Sequence, residues 1–171
     1  MIDNRMQKAI NEQINFELYS SYIYLGMAAY FEFINLKGFG SWMRVQAMEE
    51  QTHARRFYAF LVERSGRVEL ADIKAPKAEW KSPLDAFEDA YKHEQIVTKR
   101  INDMVNLALE LKDHASNSFL QWFVNEQVEE ESAVDAVIQS LKLVENQPSG
   151  WFLIDKDLAT RMFIPPIGVT I

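Results

Sequence analysis

The stretch Phe39-Gly40-Ser41-Trp42-Met43-Arg44-Val45-Gln46-Ala47-Met48-Glu49-Glu50-Gln51-Thr52-His53-Ala54-Arg55-Arg56-Phe57-Tyr58-Ala59-Phe60 decides the fold. One face of it reads Phe39, Met43, Gln46, Glu50, His53, Phe57, Phe60, with steps of three and four residues. That is the period of a helix packing along one side in a bundle. The face is apolar at both ends and polar in the middle. Glu50 and His53 project from the same side one turn apart, so a carboxylate and an imidazole share a core position.

Working outward, three more long helices carry such a stripe. The first spans residues 4–33 and reads Ile10, Ile14, Glu17, Ser21, Tyr24, Ala28, Phe31; it closes at Asn35-Leu36-Lys37-Gly38. The second spans 39–65 and stops at Gly66, a residue suited to a left-handed cap. The third opens at Ser82-Pro83-Leu84-Asp85, where Ser caps, Pro takes the first turn and Asp85 faces the positive helix end, and continues to about Leu111. It reads Phe87, Ala90, Glu94, Val97, Ile101, Met104, Ala108, Leu111. The fourth follows a break near Lys112-Asp113, runs to about Glu145, and reads Leu120, Phe123, Gln127, Glu130, Val134, Val137, Leu141, Val144. A short fifth helix is expected over Trp151–Met162, before Pro165-Pro166.

Two of the connections are short, which makes the first and second helices antiparallel, and likewise the third and fourth. Residues Gly66 to Ser82 differ: these seventeen residues include Pro76 and lack a helical stripe. A 27-residue second helix is about 40 Å long, and an extended segment of this length reaches roughly 55 Å, so it can travel the full bundle. The expected fold is all-α: an up-down-down-up four-helix bundle with one long crossover, forming one domain over residues 1–171.

Glu17, Glu50, Glu94 and Glu130 each interrupt a stripe near mid-helix. Packed side by side, the four converge at one depth. Buried carboxylates facing one another cannot all be ionised without compensation, and the stripes offer no Lys or Arg there. Bound metal is the economical answer. Carboxylates with one imidazole suit iron or manganese, and a Glu-x-x-His pair plus single glutamates from other helices is the arrangement of di-iron bundles. Paired ferrous ions together supply the two electrons that reduce dioxygen to peroxide.

Other residues carry less. Tyr24, two turns after Glu17, can hydrogen-bond a ligand, supply an electron, or simply pack. Trp122 reads as packing, while His93, off the stripe, and His114, at a helix start, read as surface or capping residues. Glu49, Glu126 and Glu129 sit beside the core positions, where they form either a third, more exposed metal position or a solvated face.

The composition agrees with a soluble single domain. The 171 residues are 48% hydrophobic and contain no Cys, which excludes disulfides, thiolate zinc and iron-sulfur ligation, and suits a reducing, cytoplasmic compartment. No secretory signal is read at the start, and the longest apolar run, Tyr22 to Phe31, is about half of what a membrane span needs. A net charge of -7 argues against nucleic acid or an anionic membrane as partner and favours cations.

The sequence also resembles the non-haem ferritins of bacteria and archaea over essentially its whole length. The resemblance rests on Asn15-x-Glu17-x-Tyr19-x-Ser21-x-x-Tyr24, Glu49-Glu50-x-x-His53-Ala54, Glu94, and Phe123-x-x-Glu126-Gln127-Val128-Glu129-Glu130-Glu131. It implies a ferroxidase centre with Glu17, Glu50 and His53 on one iron, and Glu50, Glu94 and Glu130 on the other. Gln127 would lie behind the ligands, and Glu49, Glu126 and Glu129 would hold a third iron. It further implies a hollow homo-oligomer, usually of 24 subunits, that takes Fe2+ and O2 or H2O2 as substrates and stores ferric mineral. Two neighbouring families differ from this pattern. Bacterioferritins carry a second Glu-x-x-His on the fourth helix and a haem-ligating methionine, where this chain has Gln127-x-x-Glu130 and Thr52, so no haem is expected. Rubrerythrins usually add a cysteine-ligated iron domain. The rival readings are a di-iron oxygenase or peroxidase acting on another substrate, and a non-catalytic bundle with solvated acidic residues.

Overall fold

The computed structural model describes residues 2–144 and 147–164. They form α1 (Asn4–Phe33), α2 (Lys37–Glu63), α3 (Pro83–Glu110), α4 (His114–Leu143) and α5 (Pro148–Leu158), with no strand among the described residues. The ends of the expected 1–171 domain, the expected helix end at Glu145 and the Pro165-Pro166 pair lie outside them.

Local chemistry sets the helix ends. Asp3, Ser82 and Asp113 cap α1, α3 and α4 by accepting from the backbone N–H of Arg5, Asp85 and Ser116. Helix α2 has no such cap from its own flank. Asp155 of α5 replaces it, its Oδ1 accepting from the N–H groups of Gly38 at 2.7 Å and Phe39 at 3.0 Å. A side chain at Gly38 would overlap the Asp155 backbone, so glycine is what lets α5 dock there. This remote cap explains why α2 starts at Lys37 rather than Phe39.

The left-handed residue ending α2 is Ser65, with φ 57°, not Gly66. Gly66 is needed for room, since a Cβ there would run into the Leu61 side chain. Asn35 and Lys112 take the same conformation, at φ 62° and 55°, where α1 and α3 end. Helix α5 begins at Pro148 and ends at Leu158, earlier at both ends than the expected 151–162: Pro148 suits a first turn, and the Ala159 N–H closes the last turn on Asp155.

Cross-bundle contacts establish the up-down-down-up order. Tyr24 meets Glu94, Ser20 meets His93, Gln13 meets Arg100 and Arg5 meets Glu110, so α1 and α3 are antiparallel. Gln46 meets Glu130 and Arg64 meets Asp113, so α2 and α4 are antiparallel too. The crossover runs beside α1 in the same direction. Gln7 and Asn11 bind the backbone of Arg67 and Glu69, Asn15 binds that of Ala71 and Asp72, and Tyr30 packs on Trp80. These amides supply partners to a segment that has no ladder of its own.

The core is split in two. One apolar cluster holds Met27, Phe31, Phe39, Met43, Phe87, Val134 and Leu141; the other holds Met6, Ile10, Ile14, Phe57, Leu61, Ile101, Leu120 and Phe123. The carboxylate positions lie between them.

Candidate metal centre

The stripes bury what their spacing predicts. Glu17, Glu50, Glu94 and Glu130 are 0%, 1%, 0% and 4% exposed, His53 2%, so the reading of solvated acids does not hold for this layer. Each long helix contributes one carboxylate at the same height.

Glu17, Glu50 and His53 offer ligand atoms all within 4.8 Å of one another, and His53, Glu126 and Glu130 form a second such group. His53 belongs to both: Nδ1 lies 3.3 Å from Glu50 Oε2, and Nε2 lies 3.9 Å from Glu126 Oε1. Glu94 stands slightly apart, accepting from the Tyr24 hydroxyl on Oε1 and from Gln127 Nε2 at 3.2 Å on Oε2. Glu17 Oε1 accepts from Gln13, whereas its Oε2 is buried without any hydrogen-bond partner. A buried, unpartnered carboxylate oxygen costs several kcal/mol, which a cation would offset. The donor set therefore fits a hard or borderline divalent ion.

The protonation pattern points the same way. Burial, with neighbouring carboxylates, raises Glu50 well above its ordinary value, Glu94 to about 7 and Glu130 to about 8. Burial opposes charge on His53 more than any other influence, yet the carboxylates facing its two nitrogens together lift it well above its ordinary value. Tyr24 is raised well above 10, first by burial and then by the acidic groups around it, so it stays a phenol and donates.

Outside this layer, Glu49 and Glu126 are half-buried and Glu129 is exposed. Glu49 is bonded to Arg161, and Glu126 faces His53; Glu129 belongs to neither ligand group. Trp122 packs edge-on to His53 at 5.5 Å between ring centroids, with the Arg56 guanidinium 3.8 Å from its ring centre. His114 opens α4 and is exposed.

His93 departs from its expected surface role. It is buried, its Nε2 lies 2.7 Å from Ser20 Oγ, and its ring stacks on Phe16 at 5.3 Å. Burial lowers it to about 4, so it is a neutral core histidine. It lies next to Glu94 on the flank of the stripe facing α1, and the Ser20 opposite was the available signal. Spacing also missed Gln13, Arg100 and Arg161, and it put Gln46 on the stripe without giving it a part in the centre. The stripes carry no cation, but guanidinium groups reach toward the layer from outside: Arg100 binds Gln13, and Arg161 binds Gln46.

Residues 7–144 match the family model described as a ferritin-like domain. The chain is 38% identical over 156 residues to the bacterial non-heme ferritin of Campylobacter jejuni, covering 91% of this chain and 93% of that protein. It is 38% identical to the one from Bacteroides fragilis, covering 94% and 100%. Among solved structures, the open pore ferritin of the hyperthermophilic archaeon Archaeoglobus fulgidus is 48% identical with a TM-score of 0.94, over 95% of this chain and 100% of that one. With a ferritin-type bundle enclosing a carboxylate layer and ferritin relatives along nearly its full length, the chain belongs to the ferritin family.

Proposed function

We propose that the chain is an iron-storage ferroxidase, and that the observation carrying this reading is the mid-bundle layer of four buried glutamates with His53. Two Fe2+ bind as substrate. Glu17, Glu50 and His53 hold one, Glu50, Glu94 and Glu130 hold the other, and Glu50 bridges. Each ferrous ion gives up one electron, and dioxygen takes two with two protons to become hydrogen peroxide; peroxide can also serve as oxidant. The ferric product moves to the interior of a hollow homo-oligomer and is stored as mineral, which also removes free Fe2+ from solution.

The side chains have distinct parts in this scheme. Loading requires Glu50, Glu94 and Glu130 to be ionised and His53 to be neutral, so protons leave as iron arrives. The Tyr24 phenol and Gln127 amide, both donating to Glu94, keep its carboxylate oriented while it exchanges a proton for a cation. Tyr24 is also close enough to the layer to supply an electron. Glu49, Glu126 and Glu129 form an outlying third position through which iron approaches or leaves. A shell of 24 subunits and a cytoplasmic site are part of the same reading, the latter suited to a chain without Cys. A di-iron oxygenase or peroxidase would share such a layer, but the ferritin relatives over nine-tenths of the chain weigh against it.

The test is anaerobic Fe2+ titration of assembled protein followed by stopped-flow oxidation with O2. Saturation near two irons per subunit and fast oxidation that Glu50→Ala abolishes are expected. Binding of one iron or none, with no oxidation above the buffer rate, would overturn the proposal.

A further inference from the structure

Two side-chain relays outside the ligand set share one plan. Arg161, just past α5, lies with its guanidinium 4.4 Å from the Trp42 ring centre. Its Nη1 donates to Gln46 Oε1 at 2.8 Å and its Nη2 to Glu49 Oε2 at 2.5 Å. Gln46 Nε2 in turn donates to Glu130 Oε2 at 2.5 Å and, more weakly, to Glu50 Oε1 at 3.3 Å. On the other side of the layer, the Arg100 guanidinium lies 4.3 Å from the Phe16 ring centre. Arg100 Nε donates to Gln13 Oε1 at 2.8 Å, and Gln13 Nε2 donates to Glu17 Oε1 at 2.8 Å. Both glutamines are fully buried.

The logic is in the donor inventory. A glutamine amide has a donor end and an acceptor end, and can turn either way; a guanidinium has donors only. With arginine on the outer side, the amide oxygen must face outward and the NH2 must face the carboxylate. An inward NH2 holds one carboxylate oxygen by donating to it, whereas an inward carbonyl, which only accepts, would offer that oxygen no donor. Stacking on Phe16 or Trp42 fixes each guanidinium in place. The arginines stay one glutamine away from the carboxylate layer, so they orient it without filling the place of a cation. In Glu17 the outcome is visible: Gln13 holds Oε1 and leaves Oε2 without a partner.

We propose that Arg100 and Arg161 are positioning residues of the metal centre, each locking a buried glutamine so that Glu17 on one side, and Glu130 with Glu50 on the other, are held with a carboxylate oxygen turned to a cation. This rests on the two-metal reading above. A direct charge effect predicts the opposite sign, because removing a nearby positive charge would tighten cation binding. Orientation predicts weaker binding, and from different positions for the two arginines.

The experiment is anaerobic Fe2+ calorimetry on assembled wild type, Arg100→Ala, Arg161→Ala, Arg161→Lys, Gln13→Leu and Gln46→Leu, with iron located by anomalous diffraction in soaked crystals. Arg161→Ala should weaken one binding step about tenfold, the lower end for residues that orient metal ligands. Iron should fall at Glu130 in that variant and at Glu17 in Arg100→Ala. Arg161→Lys should not restore binding, since a point charge cannot hold Gln46 and Glu49 together. Each arginine–glutamine double variant should be no worse than its worse single. Unchanged or tighter binding in the arginine variants, or additive losses in the doubles, overturns the inference alone. Failure of the unmodified protein to bind a pair of irons overturns the two-metal reading, and this inference with it.

Discussion

Loading the centre with Fe2+ at pH 7 should release protons in a countable amount. Without metal, burial holds Glu94 at about 7 and Glu130 at about 8. At pH 7 much of Glu94 and most of Glu130 is therefore protonated, so the two together carry on the order of one proton. Both must ionise to bind a cation, so on the order of one proton should leave these two per pair of irons, with more from Glu50 and His53. Anaerobic calorimetry in buffers of different ionisation enthalpy counts them, free of protons from ferric hydrolysis. Release below about half a proton per pair would refute the idea that the cavity is held neutral by protons until metal replaces them.

The same displacement fixes how stability depends on pH. Glu94 and Glu130 titrate higher in the folded protein than the ordinary 4.5, so between these limits the folded metal-free chain binds more protons than the unfolded one. Their contribution is complete below pH 4.5 and is lost as pH rises through about 7 and 8. Moving Glu94 alone from 4.5 to about 7 corresponds to about 3 kcal/mol. The thermal midpoint of metal-free protein should therefore fall from pH 5.5 to pH 8.5, and loading with Zn2+ should flatten that slope. A midpoint that rises over this range would contradict the sign.

In solution, light scattering should give a particle near 24 subunits of 19.9 kDa, about 480 kDa; a mass below about 100 kDa at micromolar concentration would rule out the shell. Purified protein should show no Soret band, because Thr52 stands where the related haem-binding family carries its methionine. Glu94→Ala should leave a metal beside His53 but slow paired oxidation, Glu50→Ala should weaken both positions, and Glu129→Ala should spare the pair and alter later turnovers. Crystals soaked anaerobically and stopped-flow traces at two irons per subunit decide this, and wild-type occupancy and rate in Glu94→Ala would remove helix α3's ligand from the scheme. Asp155→Ala should cost about 1 kcal/mol by uncapping α2, measured as a lower thermal midpoint.

Much of the bundle was legible because its governing patterns are local. Periodicity named the buried face of every long helix: of the stripe residues, only Phe60, Leu111 and Val144, at helix ends, fall short of full burial. Ser82 announced its helix start through side-chain chemistry within three residues, whereas Asp113, read only as part of a break, proves to cap its helix in the same way. What stayed hidden depends on partners far along the chain. The cap of α2 comes from Asp155, more than a hundred residues away, and no local signal marks it. His93 was misread because a histidine flanking a stripe buries only when something like Ser20 satisfies its nitrogen. Arg100 and Arg161 lie off the stripes, and their reach toward the layer depends on which helix packs beside them.

The carboxylate layer is also a statement about stability. A buried polar network is favourable only when every member is satisfied, and a half-satisfied one is worse than an apolar core. Here Gln13, Gln46, Gln127 and Tyr24 donate into the layer, yet Glu17 Oε2 is left open and protons must neutralise Glu94 and Glu130. The apolar clusters on either side, with Phe57 stacked on Phe123 at 4.1 Å and Phe31 on Phe39 at 5.1 Å, hold the helices together across this weak layer. The bundle can thus keep its ligands in place when empty, and the donors already aimed at the carboxylates need little rearrangement when a cation replaces the protons. On the two-metal reading, that division, with apolar ends for stability and an unsatisfied middle for binding, is what four helices need in order to take up a cation without unfolding.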